Sequence, residues 1–160
     1  MSTLLACVDF TEATSAVLET AIELARALGA RVRLVHVAHP YIEPPYTGDG
    51  RAAGWVSWPA PASAPHRREK DALEELKATV RNAGLDVDSV VIEGAVAKGV
   101  IAEADRVDAK LIILGSHGRL PVVDLLVRST TNGVARRASC PVVVAPAPRR
   151  RASSRPSRAA

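Results

Sequence analysis

The sequence predicts an α/β fold, a parallel sheet with helices on both faces. Three observations carry this. Short apolar runs of strand length alternate with longer stretches whose apolar residues recur at helical spacing. Each strand is therefore followed by a helix before the next strand, the right-handed βαβ connection. The runs are also nearly continuous in apolar residues, as strands covered on both faces must be.

The elements follow in order. Residues 4–8 (LLACV) are a buried strand that ends at Asp9. Thr11 or Thr14 can cap the helix that comes next. Val17, Ala21, Leu24, Ala25 and Leu28 fall on one helical face, and Gly29 stands where a left-handed stop is expected. Residues 31–37 (RVRLVHV) form the second strand. The pattern then breaks. Residues 39–66 hold six of the eleven prolines, three glycines, both tryptophans and both tyrosines, and read as a long surface loop. Its aromatics suggest partial packing or contact with an unidentified protein partner. Residues 67–83 are a charged amphipathic helix with Leu73, Leu76 and Val80 inward and Gly84 at its end. Strand three is 87–92. The helix at 97–107 turns Val100, Ile101, Ala104 and Val107 to one side, and 111–114 and 142–145 are the last strands.

Bulk composition narrows the class. The 160 residues suit one domain, and 48% hydrophobic residues suffice for a core. Aromatics are only 3%, so aliphatic side chains must pack it. No apolar run approaches the length of a membrane span, and no basic-then-apolar leader opens the chain. Two cysteines make no disulfide framework, which points to a reducing cytoplasm. The net charge of +4 comes from residues 147–160, which carry five arginines and no acid; without them the rest stands near −1. That tail reads as a disordered basic extension. It could give salt-sensitive, sequence-blind contact with nucleic acid or acidic lipid, but a solvated tail is the expectation.

Chemistry concentrates in residues 111–146, LIILGSHGRLPVVDLLVRSTTNGVARRASCPVVVAP. Strand, glycine turn, Ser/Thr-opened helix, strand is how an α/β protein presents backbone N–H groups to a phosphate. Two familiar phosphate loops are absent. Gly94 and Gly99 have Walker A glycine spacing, but Val100 and Ile101 follow where Lys and Ser/Thr are needed, and no GxGxxG occurs. Those glycines read as a strand exit and a helix entry. Gly115 and Gly118 directly follow a strand, where missing side chains let backbone approach a ligand. His117 could move a proton, yet no Ser or Cys nucleophile pairs with it, so it reads as phosphate-facing or solvated. His36 reads as a satisfied core histidine and Cys140 as packing before Pro141. The cysteines and histidines lack zinc-ligand spacing.

Taken together, LIILGSHGR, the spacer, Ser129, the short helix and CPVVVAP resemble the universal stress protein family. Val8-Asp9 before a Ser/Thr-rich helix start, His36-Val37 closing strand two, and Gly94 after strand three extend the resemblance over about residues 3–146. It implies one domain, residues 1–146, with 39–66 as an inserted loop. It implies a flavodoxin-like sheet of five strands in the order 3-2-1-4-5, the architecture shared with adenine-nucleotide α-hydrolases. It also implies a stress-responsive regulator that binds ATP or a related adenine nucleotide, with Mg as a candidate companion ion. By that resemblance Gly115, His117, Gly118 and Arg119 form the loop near ribose and phosphates. Ser129 and Thr130 donate to phosphate, Asp9 accepts from the nucleoside, Val37 holds adenine through its backbone, and Cys7 lines the base pocket.

One position departs from the family motif G-x2-G-x9-G-[S/T]. Arg128 stands where the third glycine belongs. If that backbone needs a positive φ, a side chain costs about 1–2 kcal/mol there. A lost phosphate contact of about 1.5–3 kcal/mol would weaken binding roughly ten- to a hundred-fold. A guanidinium is, conversely, a good bidentate phosphate partner. Pro121 stiffens the spacer and Asp124 repels phosphate. Hydrolysis is expected to be slow at most, since no residue is aligned as a general base. The alternative is a dimeric interaction module of the same family that binds no nucleotide. The resemblance implies a homodimer through the edge strand at 141–145, whose apolar backbone edge invites pairing.

Overall fold

The computed structural model describes residues 1–38, 66–116 and 130–146. The chain runs β1 (Thr3–Cys7), α1 (Ala13–Leu28), β2 (Arg31–Ala38), α2 (Arg67–Asn82), β3 (Val87–Glu93), α3 (Val96–Arg106), β4 (Ala109–Ser116), α4 (Thr130–Ala135) and β5 (Val142–Pro146). The sheet has five strands in the order β3-β2-β1-β4-β5, and every neighbouring pair is parallel. Both the fold class and the strand order match expectation. β4 is longer than the apolar run 111–114 suggested, because its register carries pairing on through Gly115↔Ala145 and Ser116↔Pro146. The proposed loop and tail at 39–65 and 147–160 lie outside the described residues.

Side-chain alternation divides the core into two layers. Leu4, Ala6, Val32, Leu34 and Ile113 point to one face, where Val17, Ala21 and Ala25 of α1 and Leu73 and Val80 of α2 cover them. Leu5, Val35, Ile112 and Leu114 point to the other, against Val100 and Ala104 of α3 and Val134 of α4. Each fully buried Leu, Ile or Val side chain contributes about 1.5–3 kcal/mol by leaving water. The alanines of α1 let that helix lie close to the sheet.

Helix ends follow their sequence signals with two corrections. Gly29 adopts the expected left-handed conformation, φ 61°, and its N–H donates to Ala25 O. Gly84, φ 79°, closes α2 in the same way. The cap of α1 differs: Glu12 occupies the N-cap position without a side-chain cap bond. Thr11 still contributes, since its Oγ1 accepts from Ala13 N–H at 3.3 Å, a one-residue displacement typical of helix ends. Leu28 is 59% exposed rather than inward. It is the last residue of α1, at the turn into β2, beyond the strand ends that would cover it.

A charged cluster ties β2, β3 and α3 together near the amino-terminal ends of the two strands. Arg33, directly across from Asp88 in register, pairs with both Asp88 and Glu103. Glu103 also accepts from Arg106 Nε at 2.8 Å and Nη2 at 2.7 Å. Glu103 is buried, and a buried charge persists only when so paired. Among the described residues, no helix is long and apolar enough to cross a membrane.

Candidate functional site

The strand order reverses at β1, with β2 and β3 on one side and β4 and β5 on the other. Loops leaving the carboxyl ends of β1 and β4 therefore diverge, and a crevice opens between them. That crevice has a volume of about 680 Å³ and is walled by the ends of β1, β2 and β4 and by the amino-terminal parts of the four described helices. Its size falls in the range of sites for small organic ligands.

The turn from β1 into α1 sets the position of Asp9. Val8 N–H still bonds Val35 O at 2.9 Å, so pairing with β2 continues one residue past β1. Asp9 Oδ1 then accepts from Thr11 N–H at 3.0 Å, Thr11 Oγ1 at 2.7 Å and the more distant Thr14 Oγ1 at 3.4 Å. These bonds fold the chain back so that α1 can start beside the sheet. Phe10, between them, is left-handed with φ 59°, a conformation that costs a bulky residue about 1–2 kcal/mol. Its ring rests on His36, centroids 4.5 Å apart. His36 Nδ1 lies 2.9 Å from Val8 O. A carbonyl oxygen only accepts, so Nδ1 carries a proton. His36 is the satisfied histidine expected, and it is also part of the crevice wall.

Gly115 ends the apolar part of β4 on the opposite wall. A methyl group there would sit 2.8 Å from Ala13 Cβ and 3.2 Å from Val17 Cγ2. The missing side chain therefore seats α1 on the sheet, a role the sequence reading had assigned to ligand approach. Thr130 and buried Thr131 open α4 at the same end. Cys7 lines the floor, and burial pushes its thiol up to about 12, so it stays a neutral SH group.

Of the residues expected at a site, Cys7, Asp9, Val37, Gly115 and Thr130 line one crevice. His117, Gly118, Arg119, Arg128 and Ser129 lie outside the described residues. Sequence reasoning missed His36, Glu69, Val96 and Thr131 as wall residues. Glu69 gave little signal, because an acid in the first turn of a helix ordinarily serves the helix dipole.

Charge is unevenly distributed. Among the described lining residues the carboxylates are Asp9 and Glu69, and no Lys or Arg accompanies them. A phosphate is therefore disfavoured beside α2; at Asp9 the donors of Thr11 and Thr14 offset part of the charge, so the end by Gly115 and the threonine hydroxyls tolerates it better. The wall near Val35, Val37, Val96 and Val100 is apolar and suits a flat ring. Among the described residues, no group of three His, Cys, Asp or Glu could hold a metal ion.

Comparison with known proteins agrees with this fold. The sequence model of the universal stress protein family matches residues 1–146. Universal stress protein MJ0531 of Methanocaldococcus jannaschii is 25% identical over 132 residues, covering 81% of this chain and 73% of that protein. Among solved structures, a universal stress protein in complex with cAMP is similar, with a TM-score of 0.67 at 19% identity. The match covers 92% of this chain and 98% of that one. The universal stress protein from Archaeoglobus fulgidus in complex with dAMP superposes with a TM-score of 0.62 at 21% identity, over 90% and 96% of the two chains.

Proposed function

We propose that this chain, which belongs to the universal stress protein family, binds ATP or a related adenine nucleotide in the crevice and acts as a stress-responsive regulator. One observation carries the reading. Asp9 at the end of β1 and Gly115 at the end of β4 wall a single crevice at the reversal of strand order. It offers an apolar slot on one side and hydroxyl groups on the other, the polarity pattern of a nucleoside phosphate. The cAMP and dAMP complexes of similar structures support the adenine class.

Phosphates lie toward Thr130 at the start of α4; by the family resemblance Gly118, Arg128 and Ser129 contribute to the same group. Mg accompanies the nucleotide as an ion carried on its own phosphates. The chain works as a homodimer through 141–145, where Val144 of the edge strand β5 is 42% exposed. It resides in the reducing cytoplasm, in keeping with its two free cysteines.

Titration calorimetry with ATP tests the reading on the natural chain and on Arg128→Gly. Measurable binding by the natural chain, tightened about tenfold or more by glycine, is the expected result. No binding by the natural chain would overturn it. Arg128 at the motif's third glycine position favours one other reading, a dimeric interaction module without nucleotide. Mass spectrometry of the co-purified protein separates the two, since the module would carry no adenine nucleotide.

A further inference from the structure

Glu69 has no role in the binding reading so far, yet the residue lines the crevice wall. It belongs to the first turn of α2, beside the carboxyl end of β2. Its placement is supported by a second layer. His66, immediately before α2, is side-chain buried to 11% exposure and stands between two acids. Its Nε2 lies 2.8 Å from Glu93 Oε1, and its Nδ1 lies 3.8 Å from Glu69 Oε1. Glu93 closes β3, so the imidazole fastens the start of α2 to the neighbouring strand. Its backbone is left-handed, φ 58°, which turns the chain into the helix at that point.

We propose that Glu69 selects the base: it accepts a hydrogen bond from an exocyclic amino group presented at the α2 end of the crevice. This rests on the nucleotide reading above and specifies its chemistry. Charge fixes the orientation. A carboxylate repels phosphate, so the phosphate end must point away from α2, toward Thr130 and Gly115. The base then occupies the slot by Val37 and Val96, with its amino edge facing α2. An ionised carboxylate is an acceptor only, so it rewards a donor and leaves a base without one unpaired. The Glu69 side chain is 34% exposed, so water partly replaces a missing donor and the discrimination is moderate. His66 is a positioning residue: by bonding Glu93 it anchors the start of α2, and so fixes where Glu69 meets this wall.

The test compares ATP with purine riboside 5′-triphosphate, which lacks the 6-amino group and is otherwise the same. The natural chain should bind ATP about three- to tenfold more tightly. In Glu69→Ala the two ligands should bind within about twofold of each other, with circular dichroism confirming the fold. Glu69→Gln should keep part of the preference, because its amide oxygen still accepts. A role confined to the helix dipole would change stability and leave the ratio of the two affinities untouched. An unchanged ratio in Glu69→Ala, with ATP still bound, overturns the assignment and leaves the binding reading standing. If the natural chain binds neither triphosphate, the binding reading itself fails, and this assignment with it.

Discussion

Replacing Gly115 by alanine should damage the fold in the absence of any ligand. The added carbon would lie 2.8 Å from Ala13 Cβ and 3.2 Å from Val17 Cγ2. Carbon atoms rest at about 3.5–4.0 Å, so the first contact is short by roughly 0.7–1.2 Å. Ala13 has no torsion with which to escape, and Val17 is β-branched and held near one rotamer in a helix. The first turn of α1 must therefore lift away from β4. Overpacking of this kind costs about 1–3 kcal/mol. Alanine returns about 0.4–1 kcal/mol by restricting the unfolded chain, leaving a net loss of about 1–2 kcal/mol. Urea denaturation of the natural chain, Gly115→Ala, Ala13→Gly and the double variant measures this directly. Ala13→Gly alone should cost up to about 1 kcal/mol in helix propensity. Combined with Gly115→Ala it removes the clash, so the two changes should couple favourably by about 1 kcal/mol or more. Gly115→Ala with stability unchanged within about 0.5 kcal/mol, and no coupling, would show that the helix is not seated on this glycine.

Two other measurements reach other parts of the molecule. Hydrogen bonding from Arg106, reinforced by Arg33, holds the Glu103 carboxyl below its ordinary value of 4.5. A depressed folded-state value stabilises the fold above that ordinary value and is lost as pH falls through the folded one. The urea midpoint of Glu103→Gln should therefore be lower at pH 7 and fall less steeply below about pH 4.5; parallel curves would contradict the ion-pair account. Cys7, with its thiol pushed up to about 12, should react with iodoacetamide at pH 8 at least a hundred-fold more slowly than in the urea-unfolded chain, roughly by its thiolate fraction. Labelling as fast as in the unfolded chain would mean the crevice floor is open.

The backbone architecture could be read from the residues because burial on both faces leaves a plain trace. Runs such as LIIL, separated by segments with Leu73, Leu76 and Val80 at helical spacing, admit few arrangements other than parallel strands joined by helices. Asp9 and Gly115 were legible for a related reason, since each ends an apolar run where a parallel sheet gathers its ligands. Glu69 was not. Nothing local separates an acid that faces a crevice from one that faces water, and only the packing of α2 beside β2 decides it. Gly115 was legible as a residue but not as a mechanism. A glycine after a strand looks the same whether a ligand or a neighbouring helix needs the space. The ion pairing of Arg33 with Glu103 was likewise hidden, because the two meet only when α3 crosses β2.

The central place of β1 has a consequence for biosynthesis. Thr3–Cys7 leaves the ribosome well before Ala109–Ser116, its partner along one edge. At about 5–20 residues per second, the nascent chain spends roughly 5–20 s with that edge unsatisfied. During this interval β1, β2 and β3 can associate, but the pocket has only half its rim. Each nascent chain therefore passes through a waiting intermediate with an open apolar flank, the kind of surface a holdase chaperone covers.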